Sequence, residues 1–283
     1  GRPDSRLDEV STLPKSTLDR LTHLCDTGGA IAAQAALAQL ALAAGLYTKP
    51  VMGSKTVPSF GAWRPEIGVC EAERQTEKPL IVLTFYRAYL TAADMAPIEA
   101  LAEEFVRRGY EVLGLFAPTL KQPAAALWIS ETLKELQPAA IVNATAFSGK
   151  GGDGTSPLDA TDAPVFQMAL ATSRKKAWAE AERGLAPADL AMHVVLPEVD
   201  GRLFSGVASF KEPGKKDPVL EYSRFGHRAQ ADRITAIAEK VCNWVRLSET
   251  PASEKRVAMV LSTYPGQDWN MAHAVGLDAI ASA

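Results

Sequence analysis

The sequence predicts an α/β protein: a doubly wound parallel sheet with helices on both faces, preceded by a helical lead-in and followed by the start of a second α/β unit. Three observations predict it. Short apolar, β-branched runs recur from Leu80 onward. The stretches between them repeat their apolar residues at helical spacing. Proline and glycine fall where helices start and stop. Strands alternating with helices in this way imply a parallel sheet covered on both faces, with right-handed crossovers.

The expected organisation has four parts. Residues 1–77 are a helical lead-in and linker, residues 78–210 the α/β domain, residues 211–254 a connecting segment with an amphipathic helix, and residues 255–283 the truncated start of a second α/β unit. In the lead-in, AIAAQAALAQLALAAG reads as a helix apolar on most faces, hence packed. Leu46 to Lys78 is punctuated by Pro50, Pro58, Gly61 and Pro65 and reads as loop.

LIVLTFY (Leu80–Tyr86) is the first buried strand. The next helix shows Ile98, Leu101, Ala102, Phe105 and Val106 on one side, with Pro97 suited to its first turn and Gly109 to its stop. EVLGLFA (Glu111–Ala117) is the second strand, and Trp128, Ile129, Leu133 and Leu136 mark the following helix. Ala139–Thr145, Ala163–Leu170 and Met192–Pro197 are expected as strands three to five, and Val207 to Phe210 as a further short strand. A long amphipathic helix carries Ile234, Ile237, Val241, Trp244 and Val245. Lys255–Pro265 echoes Lys78–Ala88 and reads as the first strand of the second unit. The chain opens with Gly1 and closes on a small-residue stretch, so it is expected to be a piece of a longer polypeptide.

The totals exclude several classes. The chain has 283 residues, 47% apolar, with a net charge of −3. That suffices for a large core and lacks the clustered basic excess of a nucleic-acid binder. No apolar run approaches the ~20 residues that span a bilayer. Cys25, Cys70 and Cys242 lie far apart, an odd number without CxxC spacing, which fits a reducing cytoplasm and gives a cysteine-built zinc site no support.

Ligands of parallel sheets bind beyond the carboxyl ends of the strands. The candidates there are Arg87 after the first strand, Asn143 and the loop from Ser148 to Gly154 after the third, and Glu198, Asp200 and Gly201 after the fifth. Each has a plainer role: a surface cation, a turn cap, a mobile loop, two acids before a turn glycine. The loop contains Gly149-Lys150, but Gly151 stands where a P-loop needs Ser or Thr, so no nucleotide site is expected. His193 shares the expected fifth strand with Glu198, and strand alternation would set the two on opposite faces. A core or rim histidine is the favoured reading of His193.

Several blocks in order, among them LTFYRAYLTAADMAPIEALAEEFVRRGYEVLGLFAPTLK, IVNATAFS, SPLDATDAPVFQ, GLAPADLAMHVVLPEVDG and VLSTYPGQDWNMAHAVGLDAIASA, resemble the large tetrapyrrole-binding subunits of cobaltochelatase. The related magnesium-chelatase H subunit shares the LPE-x-DG element. The resemblance runs from about residue 80 to the end, in a family whose members are several times longer. It implies ATP-dependent insertion of Co²⁺, the substrate metal, into hydrogenobyrinic acid a,c-diamide during cobalamin biosynthesis, with ATP hydrolysed by separate AAA+ partner subunits. It maps the motif glutamate onto Glu198, near the macrocycle and metal, with Asp200 and Gly201 completing the motif. A carboxylate there can take a pyrrolic proton or ligate the metal, and His193 is a candidate second Co²⁺ ligand. Arg87, Asn143 and Ser148, with its loop as a lid, are then candidates for the ring's peripheral carboxylates and amides. The alternatives are a porphyrin-binding magnesium-chelatase H subunit and a non-catalytic metabolite-binding module.

Overall fold

The structure, a computed structural model, describes residues 6–52, 57–260 and 281. The chain divides into two compact units, Gly1–Cys242 and Asn243–Ala283.

The first unit opens with α1 (Arg6–Val10), α2 (Lys15–Thr27) and α3 (Ala30–Ala43). α2 and α3 fold against each other across Gly28 and Gly29, which hold φ of 69° and 87°. A side chain at Gly28 would also strike Thr91, whose Cβ lies 2.8 Å from the position a β-carbon would take.

The stretch read as loop holds two strands, β1 (Gly61–Arg64) and β2 (Gly68–Cys70). They are too short to display an alternating pattern, and their partner creates them. Ala62 and Trp63 pair antiparallel with Leu115 and Gly114 of β4 (Glu111–Ala117). Gly114 permits this approach, because a β-carbon there would lie 2.9 Å from the Trp63 ring and 2.8 Å from Phe85. A buried ion pair adds a second tie, with the Arg64 guanidinium 2.8 Å from the Glu111 carboxylate.

β3 (Leu80–Tyr86), β4, β5 (Ala140–Asn143) and β6 (Val165–Ala171) lie on the expected runs. α4 (Arg87–Thr91) and α5 (Ala96–Arg107) link β3 to β4, and α6 (Pro123–Leu136) links β4 to β5. After β6 come α7 (Lys175–Glu180), α8 (Pro187–Leu190), a π-helical turn (Ala191–Val195), α9 (Leu196–Val199), β7 (Leu203–Pro213), β8 (Phe225–Ala229) and α10 (Ala231–Glu249). α10 runs from the first unit into the second. There a 3₁₀ turn (Ala252–Glu254) follows, and Lys255 to Val260 have no regular secondary structure. The rest of the strand expected at Lys255–Pro265 lies outside the described residues.

The sheet order is β2-β1-β4-β3-β5-β6-β7-β8. The five strands from β4 to β7 are parallel, and β1, β2 and β8 add antiparallel edges. β4, β5 and β6 are buried throughout and β3 up to Phe85, as a sheet covered on both faces requires. Leu80, Val82, Leu113, Leu115 and Ile141 pack under Ile129 and Leu133 of α6. Ile81, Leu83 and Phe85 alternate to the opposite face. Each such buried side chain contributes roughly 1.5–3 kcal/mol. Among the described residues no helix is long and apolar enough to cross a membrane.

The fifth strand is corrected. Met192–Pro197 is helical, part of a continuous helical run from Pro187 to Val199, and the fifth parallel strand is β7. Asp189, His193, Pro197 and Asp200 are buried at helical spacing, while Val195, Leu196 and Val199 point outward. The run HVVLP therefore mimics a buried strand while folding as a helix with its polar residues inside. A short apolar run does not distinguish the two by period alone. The crossover from β6 to the parallel β7 needs a helix here.

Candidate functional site

Glu198, Asp200 and Gly201 therefore lie elsewhere than a strand exit. They stand where the crossover helix ends and the chain enters β7. Asp200 N–H caps back to Pro197 O at 3.0 Å and Gly201 N–H to Glu198 O at 2.9 Å. Gly201 then turns the chain at φ 82°.

Asp200 is buried and grips the glycine-dense loop that follows β5. Its Oδ1 accepts the Ser148 hydroxyl at 2.9 Å and its Oδ2 accepts the Gly149 amide at 2.7 Å. Gly149 has no room for more, since a β-carbon there would meet Ser156 Oγ at 3.1 Å and Leu120 at 3.2 Å. Two further bonds fix the start of the loop. Phe147 N–H donates to Met192 O at 2.8 Å, and the Tyr86 hydroxyl donates to Ala146 O at 2.8 Å. The loop and the crossover helix are thus one assembly. It brings Ser148, Asp200 and Gly201 together and presents Glu198 beside them.

The Glu198 side chain is exposed and makes no hydrogen bond or ion pair among the described residues. Its exposed neighbours on the same helical run are apolar: Val195, Leu196 and Val199.

Arg87 and Asn143 are engaged elsewhere. Arg87 Nε donates to Pro58 O at 2.8 Å, and its Nη2 reaches Val57 O at 2.8 Å and Thr27 O at 3.0 Å. It clamps the lead-in to the end of β3. Asn143 is buried in a row across three strands. Its Oδ1 accepts from Thr84 Oγ1 at 2.7 Å and Thr145 Oγ1 at 2.9 Å, and its Nδ2 donates to Gln167 Oε1 at 2.8 Å. Near the carboxyl ends of β3 and β5, where the strand order reverses, this row and the Tyr86–Ala146 bonds tie the neighbouring strands together.

His193 lies on the buried face of the crossover, and its Nδ1 has no hydrogen-bond partner. Burial pushes its pKa down, against the opposing pull of Asp189. Asp189 itself pins the crossover to the end of β6, accepting Thr172 Oγ1 at 2.8 Å and Thr172 N–H at 3.0 Å. Helical geometry separates His193 and Glu198 as strand alternation would have done: one side chain faces in, the other out.

The sequence reading missed a second buried polar group beyond β3. His227 of β8 meets Ser209 Oγ through Nδ1 at 3.0 Å, and its backbone N–H donates to Asp94 at 2.8 Å. The Tyr89 ring stacks edge-on to it at 5.7 Å. Burial pushes the Tyr89 hydroxyl up to about 12, aided by Tyr86 and Asp94. Burial lowers the His227 pKa, and His193 and Lys211 push the same way against Asp94 and Asp189. His227 had no sequence signal beyond being a lone histidine, because its partners are 18 and 133 residues away. Among the described residues no three His, Cys, Asp or Glu side chains are placed to hold one metal ion.

Comparison with known proteins agrees with this fold throughout its length. The catalytic subunit of cobaltochelatase from Mycobacterium tuberculosis superposes with a TM-score of 0.74 and 26% identity, over 99% of this chain and 23% of that one. The aerobic cobaltochelatase subunit CobN of a Sinorhizobium species is 31% identical across 99% of this chain, and that of Pseudomonas aeruginosa 31% across 100%. The magnesium-chelatase H subunit of Cereibacter sphaeroides is 30% identical across 66% of this chain and 17% of its own length. The chain spans 23% of the length of the two CobN relatives. Residues 18–283 match the family described as CobN/Magnesium Chelatase, and the chain belongs to that family.

Proposed function

We propose that this chain is part of the catalytic, tetrapyrrole-binding large subunit of a cobaltochelatase. The whole subunit inserts Co²⁺, its substrate metal, into hydrogenobyrinic acid a,c-diamide in the cytoplasm, during cobalamin biosynthesis. ATP is hydrolysed by AAA+ partner subunits. The observation that carries the reading is the free Glu198 carboxylate set in an apolar exposed face of the crossover helix, on the motif that the resemblance maps to the metal pocket. Insertion requires two pyrrolic protons to leave and a hydrated dication to shed water. An exposed carboxylate can accept a proton or serve as a transient oxygen ligand.

Asp200, in this reading, positions the loop, and Ser148 and Gly201 shape the site around Glu198. Arg87 and Asn143 serve the scaffold instead, Arg87 tying the lead-in to the end of β3 and Asn143 linking strands across the sheet. The closed setting of His193 favours a supporting role for it too, with ligation of Co²⁺ requiring the crossover to move. The cobalt type is favoured over the magnesium type because the CobN relatives match over the whole chain and the magnesium-chelatase relative over two thirds of it.

Absorption titration in the Soret region, with hydrogenobyrinic acid a,c-diamide and with a porphyrin, tests the reading on the complete large subunit. Preferential binding of the corrinoid is expected. Preference for the porphyrin would replace the cobalt assignment, and binding of neither would sink the proposal.

A further inference from the structure

α3 is expected from its composition to be packed, yet Ala32 is its one buried residue. From Gly28 to Tyr47 there is no charged side chain. Leu37 and Leu40 are 67% and 46% exposed, and Leu42 is 53% exposed. A helix that is apolar all round belongs in an interior. Among the exposed residues, Ala33, Leu37, Leu40 and the C-terminal cap Ala44 recur at spacings of four, three and four, the spacing of a seam along which two helices interlock, and Leu42 is exposed beside it. Two alternatives fit poorly. A membrane-surface helix needs a strongly charged face, which α3 lacks. The 14 residues of α3 fall short of the ~20 that span a bilayer.

We propose that this seam is the docking site for an apolar helix belonging to the large-subunit polypeptide outside residues 1–283. The occupant follows from length: the CobN relatives and the cobaltochelatase structure carry about three quarters of their chains beyond the part matched here. The inference rests on the family reading above. It makes α3 an internal joint of the large subunit, held to the sheet domain through the Arg87 clamp on Thr27 and Pro58.

The test is thiol accessibility. Leu37→Cys is made in a Cys25→Ser background, because Cys25 is exposed whereas Cys70 is half-buried and Cys242 buried. Maleimide labelling is timed in residues 1–283 alone and in the continuous large subunit. Leu37→Cys should label about tenfold more slowly in the continuous chain, as a site reached only by local opening. A second variant, Lys176→Cys on the exposed α7, should label equally in both and controls for general shielding. Equal Leu37→Cys rates in both contexts would overturn the proposal. So would slow labelling in residues 1–283 alone accompanied by dimeric elution, which would make a second copy the occupant. Because labelling does not read catalysis, protection in a large subunit that fails the corrinoid titration leaves the joint standing and removes the functional reading only.

Discussion

Asp200 holds Ser148: the hydroxyl donates to its Oδ1 at 2.9 Å, and the neighbouring Gly149 amide donates to its Oδ2. The acid of the turn and the serine of the glycine-dense loop lie 52 residues apart in sequence and form one latch. Asp200→Ala leaves a hydroxyl and an amide without their charged acceptor, at a cost of about 1–3 kcal/mol. The urea midpoint should fall accordingly, and hydrogen exchange at the Gly149 amide should accelerate. Unchanged exchange at Gly149 would show that the loop keeps its place without the latch.

Glu198 should behave oppositely. Its side chain is exposed and unpartnered among the described residues, so Glu198→Gln is expected to change stability by no more than about 0.5 kcal/mol. In the complete large subunit the variant should still bind corrinoid and lose metal insertion. Insertion at the original rate would remove Glu198 from the mechanism.

Arg87 reaches three backbone carbonyls on two segments of the lead-in, at Thr27 and at Val57–Pro58. Arg87→Ala should cost about 1–3 kcal/mol. Arg87→Lys should rescue it poorly, since an ammonium cannot span the carbonyls as a planar fork does. Limited proteolysis within residues 46–60 should quicken in both variants. An unaltered cleavage pattern would mean that the lead-in is held by other contacts.

His193 and His227 give stability a pH dependence. Burial holds both folded-state pKa values below the ordinary 6.5. As pH falls through 6.5 the unfolded chain takes up these protons first, so the stability of the neutral buried forms is complete above that pH and lost below it. The groups facing His227 are Asp94 and Asp189, which favour its charged form, and Lys211 and His193, which oppose it. Urea midpoints should decline between about pH 7 and about pH 5, and the His193→Gln/His227→Gln double variant should flatten that decline. A wild-type profile level across the window would contradict the buried neutral assignment.

The legible and illegible parts of the fold differ in kind. Leu80–Tyr86 and Glu111–Ala117 were readable because a strand buried on both faces is a near-continuous apolar run with clear stops. β1 and β2 were not, because three or four residues carry no period and depend on β4 for their hydrogen bonds. In the candidate site, Glu198, Asp200, Gly201 and Ser148 were named from the sequence, but their arrangement was not. HVVLP read as a strand since its apolar residues are contiguous, whereas the fold buries Asp189 and His193 and leaves Val195 and Val199 outside.

The sequence by itself determined the alternation of strand and helix, the parallel inner sheet and the family resemblance, because local periodicity and short ordered blocks are written along the chain. The tertiary structure alone decided which polar residues serve the scaffold and which remain open. Asn143 and Arg87 were committed to partners as far as 59 and 60 residues away, and Glu198 was left facing out. Hydrogen-bond partners at that range are fixed by how the chain folds back on itself, and no local pattern encodes them.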